Sequence, residues 1–148
     1  MSGFIDFTNC RRIVDKAYNG ANGKKIAVEY EGRQYMLKFP PSGQSKPTEL
    51  SYTNGCFSEH IACSIFNMLG VAAQETILGT FDVAGKAKIV CACRDFTIDG
   101  KQLFDFCSIK NTILDSDSNG SGTELSDILE TIEKQQFVEP GRLLEHFW

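Results

Sequence analysis

The sequence lacks several features that would assign it to a familiar class of protein. Its formal net charge is −4, so it has no basic excess of the kind that binds nucleic-acid phosphates. No apolar run approaches the length of a membrane span, and the opening MSGFIDFTNCRR lacks the apolar core of a secretory signal. We therefore expect a cytoplasmic protein that contacts neither a membrane nor nucleic acid directly.

Spacings typical of metal sites are missing as well. The chain has six cysteines scattered among apolar neighbours, and only Cys91 and Cys93 stand two positions apart. No second Cys/His pair has a spacing that suits zinc, and without an export signal disulfides are not expected. The cysteines are therefore predicted to be reduced core residues, and no metal ligands are assigned.

The patterns that are present predict an α+β domain. The 148 residues suffice for one domain or for part of a larger one. Alternating apolar residues predict a β-hairpin over 25–39 with its turn at Glu31-Gly32, and a second strand pair around Ala84-Gly85. Residues 4–18 fit a short strand or a helical turn, and the segments 103–114 and 124–135 have helical character. An antiparallel sheet with a packed helix, followed by further helices, is the predicted architecture.

The packed helix is predicted to begin near Cys56 and to end at Gly70. Five apolar side chains fall on one helical arc and are predicted to face the sheet: Phe57, Ile61, Ile65, Met68 and Leu69. Glu59 lies at the edge of this arc, from which its carboxylate could reach the sheet.

A lysine stands where an apolar strand residue is expected. In the stretch YMLKFPPS, Lys38 shares a strand face with Met36, while Leu37 and Phe39 point to the other face. A half-buried cation needs an anion nearby. Glu59 is the predicted partner of Lys38.

A small-residue loop precedes this hairpin. YNGANGKK, residues 18–25, exposes backbone N–H groups that could cradle phosphate oxygens. A glycine-rich hairpin, a strand lysine, a helical glutamate and then a strand pair follow one another in the small lobe of protein kinases. Taken singly, each element also fits a structural role: a hairpin turn, an edge-strand lysine, or a first-turn acidic residue.

Four stretches resemble the N-terminal part of HipA-like serine/threonine kinases, including related bacterial effector kinases: YNGANGKKIAVEYEGRQYMLKFPP, SEHIACSIFNMLG, KIVCACRDF and LLEHFW. The resemblance implies a kinase-like ATP-binding small lobe over residues 1–100 and the first helices of a large lobe over 101–148. It also implies ATP and magnesium as cofactors, and phosphoryl transfer to a serine or threonine of a protein substrate.

The resemblance also implies roles for individual residues. Lys38 would orient the ATP phosphates and Glu59 would hold Lys38. The implied phosphate loop is Gly20, Ala21, Asn22, Gly23 and Lys24. The implied hinge, which meets adenine through its backbone, runs from Cys91 through Ala92 and Cys93 to Asp95, and the implied adenine pocket is lined by Met36 with Ile26 or Val28.

The sequence departs from the family pattern in its catalytic part. No aspartate has an asparagine five positions later, and Thr97 follows Arg94–Phe96 where the metal-binding motif needs glycine. The catalytic aspartate and the magnesium ligands are therefore expected beyond residue 148, and this chain alone is expected to be inactive in phosphoryl transfer. The alternative is a non-catalytic small-lobe binding module, or a split-kinase subunit that pairs with a C-terminal lobe or an antitoxin-like partner in a toxin–antitoxin system.

A calcium site is a weaker interpretation of another stretch. DSDSNG, residues 115–120, matches the opening of an EF-hand loop, but Ser126 stands where the bidentate glutamate belongs. A solvated loop explains the same residues, followed by a capping box of Ser121 and Glu124 that opens the next helix.

Overall fold

A computed structural model describes residues 4–18, 23–40, 54–114 and 121–145 of the chain. The chain divides into two compact units, residues 1–96 and 97–148. The boundary after residue 100 that the resemblance implied between a small lobe and a large lobe stays a prediction. None of the helices in the described ranges is long and apolar enough to cross a membrane.

The described residues of the first unit form one six-stranded sheet. Its strands are β1 (Ile5–Asp6), β2 (Arg11–Ile13), β3 (Lys25–Tyr30), β4 (Arg33–Lys38), β5 (Thr76–Val83) and β6 (Lys86–Arg94). Their order across the sheet is β1-β5-β6-β4-β3-β2. Among these described strands, only the pairing of β1 with β5 is parallel. The two edge strands come from residues 4–18, and β4 and β6 occupy the centre.

Both predicted hairpin turns are confirmed. Glu31 and Gly32 have φ values of 50° and 71°, and Ala84 and Gly85 have φ values of 53° and 78°. Two consecutive residues with positive φ make the type I′ turn, whose twist matches that of antiparallel strands. Each turn fixes the register of its strand pair, and so decides which side chains share a face.

One face of the sheet carries an aromatic and aliphatic core. Its buried members are Phe7, Val28, Tyr35, Leu37, Phe39, Phe81, Val90 and Ala92. Phe39 and Phe81 meet edge to face with ring centroids 5.4 Å apart. Gly79 lets β1 approach closely, because a Cβ there would lie 2.4 Å from the carbonyl oxygen of Ile5.

The helix α1 (Gly55–Met68) packs against β5 and β6 on the other face. Cys56 is its buried residue, whereas Ile61 and Ile65 are about half exposed and Met68 is 86% exposed. The prediction that the apolar arc faces the sheet is therefore wrong: the helix directs thiol and polar side chains inward instead. The predicted stop is confirmed, since Gly70 follows the helix with a φ of 80°.

The described part of the second unit consists of three helices, α2 (Phe106–Ile113), α3 (Leu125–Lys134) and α4 (Pro140–Glu145). The Asp105 carboxylate caps α2 by accepting a hydrogen bond from the backbone N–H of Ser108 at 2.8 Å. Glu124 is the N-cap residue of α3 and makes no side-chain capping bond, so the predicted capping box with Ser121 is wrong. The predicted calcium loop, residues 115–120, lies outside the described residues.

Candidate functional site

Lys38 ends a central strand of the sheet. It pairs with Lys25 on β3 and with Cys91 on β6. Directly paired residues of antiparallel strands share a face, so Lys38 and Met36 lie on the same face as Cys91 and Cys93. This is the face that α1 covers, opposite the aromatic core.

The first turns of α1 bring Glu59 to this face. The Cys56 thiol donates to the backbone carbonyl of Lys38 at 3.4 Å, which holds the start of the helix against β4. One turn further on, His60 Nδ1 lies 2.9 Å from the Thr76 hydroxyl and holds the helix against β5. Glu59 lies between these contacts, and its carboxylate accepts a hydrogen bond from the Lys38 ammonium in an ion pair. The structure thus brings together the two residues that the sequence predicted to meet, although Glu59 reaches Lys38 from the polar side of the helix and not from the edge of a buried apolar arc.

The ion pair is partly shielded from solvent. The side chains of Lys38 and Glu59 are 31% and 24% exposed, respectively. Partial burial by itself lowers the pKa of the Lys38 ammonium, but the hydrogen bond to Glu59 and nearby acidic groups outweigh it. The pKa of Lys38 therefore lies above its ordinary value, and the side chain is a cation at neutral pH.

Two thiols adjoin the ion pair. Cys93 Sγ lies 3.5 Å from Glu59 Oε1 and 3.9 Å from Cys91 Sγ, and both cysteines are fully buried. The hydrogen bond with Cys91, burial and the Glu59 carboxylate all raise the pKa of the Cys93 thiol. Sequence reasoning treated these cysteines as core residues or as hinge backbone, and missed their contact with the Lys38–Glu59 pair.

Most of the residues that the resemblance assigned to a hinge lie within a strand. Cys91, Ala92 and Cys93 are inside β6, which pairs with β4 on one side and with β5 on the other. A strand between two neighbours commits its backbone N–H and C=O groups to the sheet, so these three residues cannot offer them to adenine. Pairing continues to the N–H of Asp95, which donates to Gln34 at 2.9 Å.

Val28 and Ile26 are not brought together with Met36 and Lys38. Val28 pairs with Tyr35 and Ile26 pairs with Leu37, so both side chains join the aromatic core on the opposite face. The β3 residue opposite Met36 is Ala27, which is buried on the same face as Lys38. Counting residues outward from the Glu31-Gly32 turn would have shown that Ala27, and not Val28 or Ile26, shares a face with Met36.

Most of the predicted phosphate loop lies outside the described residues: Gly20, Ala21 and Asn22. Gly23 has a φ of 72°, and a Cβ there would lie 2.9 Å from the carbonyl oxygen of Phe39. Lys24 accepts a backbone hydrogen bond from Phe39 at 3.0 Å. The end of the loop is therefore held against the residue that directly follows Lys38.

A second polar cluster, missed by sequence reasoning, ties the segment before the loop to the end of β6. The buried Asp95 carboxylate accepts a hydrogen bond from the Tyr18 hydroxyl at 2.6 Å and forms an ion pair with Lys16 at 2.5 Å. Burial, followed by the hydrogen bond to Asp95, raises the pKa of Tyr18. Asp95 therefore holds the segment that precedes the loop against the end of β6.

Comparison with known proteins points to a kinase relative. The sequence matches no family model. It is 49% identical over 144 residues to the serine/threonine-protein kinase CtkA of Helicobacter pylori strain J99, covering 97% of this chain and 43% of that protein. The fold is similar to the crystal structure of the Helicobacter pylori proinflammatory kinase CtkA, with a TM-score of 0.83 and 48% identity over 98% of this chain and 47% of that chain. The chain thus spans less than half the length of the kinase it matches, and the HipA-like family stays a prediction.

Proposed function

We propose that this chain is the ATP-binding part of a serine/threonine protein kinase of the HipA-like type. The observation that carries the proposal is the ion pair between Lys38 and Glu59 on the helix-covered face of the sheet. Similarity to a serine/threonine kinase over 97% of the chain supports it.

Lys38 has the properties that a phosphate ligand needs. Its ammonium is charged at neutral pH, because the pKa is raised, and its side chain is about one-third exposed. A lysine ammonium has three N–H donors, so it can hold the Glu59 carboxylate and phosphate oxygens at the same time. Glu59 fixes the position of the charge before a ligand arrives, which lowers the entropic cost of binding.

The glycine segment supports the same assignment. Gly23 lies so close to the Phe39 carbonyl that a side chain would clash, and its positive φ suits glycine. This contact anchors the end of the loop beside Lys38, where backbone N–H groups of residues 20–24 would cover the phosphates. Ala27 and Met36 would provide the apolar surface for adenine, on the same face as Lys38.

The order of elements also fits a kinase small lobe. A hairpin with its lysine on the second strand, a helix with a glutamate, and then a strand pair follow the kinase template. ATP, bound with magnesium, would supply the phosphoryl group for a serine or threonine hydroxyl of a protein substrate. Because no aspartate in the sequence has an asparagine five positions later, the catalytic aspartate and magnesium ligands would come from a C-terminal lobe outside this sequence. A cytoplasmic location and an antitoxin-like partner belong to the same proposal.

Titration of a non-hydrolysable ATP analogue into three proteins tests the nucleotide site. Lys38→Met should weaken binding on the order of 10- to 100-fold, since it removes a charge-assisted hydrogen bond to phosphate. Lys88→Met, the same substitution at an exposed lysine of β6, should leave the affinity unchanged. Melting curves would establish that each variant is folded. Absence of binding to the unaltered chain, or equal affinity in folded Lys38→Met protein, would overturn the proposal.

A further inference from the structure

We propose that Glu59, Cys91 and Cys93 form a zinc site that shares the Glu59 carboxylate with Lys38. One ligand atom from each residue lies within 4.8 Å of the other two. The ligands come from two elements, α1 and the central strand β6, that are packed against each other.

Two of the three separations between the ligand atoms match a tetrahedral zinc ion. Zinc binds thiolate sulfur at about 2.3 Å and carboxylate oxygen at about 2.0 Å, so tetrahedral edges measure about 3.8 Å between sulfurs and about 3.5 Å between sulfur and oxygen. In the structure Cys91 Sγ and Cys93 Sγ lie 3.9 Å apart, and Cys93 Sγ lies 3.5 Å from Glu59 Oε1. The third separation, between Cys91 Sγ and a Glu59 carboxylate oxygen, is within 4.8 Å. A shift of the Glu59 side chain toward Cys91 would complete the three ligands, and a fourth position would stay open for water.

The donor set and its surroundings select the class of ion. Two sulfur ligands favour zinc and other thiophilic ions over magnesium and calcium, which prefer oxygen. Met36, Leu78 and Ile89 pack against the cysteine cluster, so the surroundings of the two sulfurs are mostly apolar. Access would be from the partly exposed side of the Lys38–Glu59 pair.

The charges of the zinc ion and its ligands sum to zero once the Lys38 ammonium is included. Zinc displaces the thiol protons of Cys91 and Cys93 to solvent, and two thiolates with one carboxylate leave the bound ion with a net charge of −1. The Lys38 ammonium beside the cluster offsets that charge. Zinc binding thus keeps Lys38 close but changes its partner from a lone carboxylate to a metal-bound one.

This arrangement predicts competition between zinc and nucleotide, a consequence that rests on the proposed function. A carboxylate that donates electrons to zinc holds Lys38 less firmly, and the ammonium instead neutralises the metal cluster. The Glu59 carboxylate would then no longer orient Lys38 toward a phosphate. The negative charge of the metal cluster would also compete with the phosphate for the Lys38 ammonium. Zinc would act as an inhibitor of nucleotide binding.

Sequence spacing could not reveal this site. Cys91 and Cys93 form the only close pair, and the search for a partner looked for a second Cys/His pair. The third ligand is a glutamate on a helix that precedes the strand in the chain, and only the packing of α1 over β6 brings it near.

Metal titration of the full chain tests the site without nucleotide. Cadmium, which binds thiolates as zinc does, should produce an ultraviolet sulfur-to-metal absorption band that saturates at one ion per chain. Zinc, in competition with a chelating dye, should bind at least about 100-fold more weakly to Cys93→Ser, because loss of a direct ligand exceeds the 10–100-fold effect of an outer partner. Cys107→Ser, at an exposed cysteine of α2, is the matched control and should bind as the unaltered chain does. Glu59→Gln gives a second variant should Cys93→Ser fail to fold.

An absent cadmium band, or equal zinc affinity in all folded variants, would overturn the site. For the competition, the ATP analogue is titrated with and without zinc into the unaltered chain and into Cys93→Ser. Zinc also binds phosphates directly, so the expected result is a larger loss of affinity in the unaltered chain than in the variant. Equal losses of affinity in the two proteins would overturn the competition. Absence of nucleotide binding to the metal-free protein would overturn the proposed function. In that case the metal titration would still decide whether the zinc site exists.

Discussion

The two faces of the sheet in the first unit bury different chemistry. One face carries an aromatic and aliphatic cluster that includes Leu37, Val90 and Ala92, all fully buried. The other carries Lys38, Cys91 and Cys93 beneath α1, with the Glu59 carboxylate among them. Neighbouring residues of one strand therefore belong to opposite environments.

The contrast indicates that the two faces of the sheet contribute differently to folding stability and to ligand binding. Burial of apolar area supplies most of the folding free energy, so the aromatic face should dominate stability. A charged pair under a helix contributes little net stability, because desolvation offsets much of its attraction. Substitutions on the aromatic face should therefore change unfolding, and substitutions on the helix-covered face should change ligand binding.

Leu37→Ala should give the largest loss of stability. Leu37 is 0% exposed in the middle of the aromatic face, and truncation of such a side chain costs about 2–5 kcal/mol of unfolding free energy. Urea denaturation followed by circular dichroism measures the change. Val14→Ala, at a residue that is 91% exposed, is the control and should stay within about 0.5 kcal/mol. A loss below about 1 kcal/mol for Leu37→Ala would contradict the assignment of stability to this face.

Gly23→Ala should have the next largest effect, at the edge of the proposed nucleotide site. Its positive φ alone costs roughly 1 kcal/mol for alanine, and the contact of a Cβ with the Phe39 carbonyl at 2.9 Å adds about as much again. Gly32→Ala has nearly the same φ, 71°, but open space around the Cβ. The difference between the two variants, measured by urea denaturation, therefore isolates the close approach. Equal losses would show that the loop end is not held against Phe39.

The sequence predicted the hairpins because they depend on local signals. It predicted the Lys38–Glu59 contact because a half-buried lysine needs an anion and because the order of elements fits a kinase small lobe. Turn residues with positive φ set the register, and strand alternation placed Lys38 on the face away from Leu37. Val28 was assigned to the wrong face of the sheet, because the face depends on how β3 pairs with β4. The hinge assignment did not account for the two strands that flank β6. Sheet order is set by contacts between residues far apart in the chain, which a local pattern does not contain.

The helix illustrates the same limit in another way. Its apolar residues do form one arc, but all of that arc except Phe57 is exposed. The inward face consists of Cys56, Glu59, His60 and Cys63. Periodicity predicts that an amphipathic helix buries its apolar side. Here the sheet beneath presents an ammonium and two thiols, and the polar side of the helix complements them.

Met68→Ala should therefore have the smallest effect. Met68 is 86% exposed at the end of α1, and methionine and alanine both favour helices, so the unfolding free energy should change by less than about 0.5 kcal/mol. Cys56→Ala, on the inward face of the same helix, should cost about 1 kcal/mol, because it removes a buried thiol and its hydrogen bond to the Lys38 carbonyl. Urea denaturation of both variants compares the two sides of one helix. If Met68→Ala proved the more damaging, the apolar arc would be packed in solution, and α1 would have to be turned so that Glu59 faces away from Lys38.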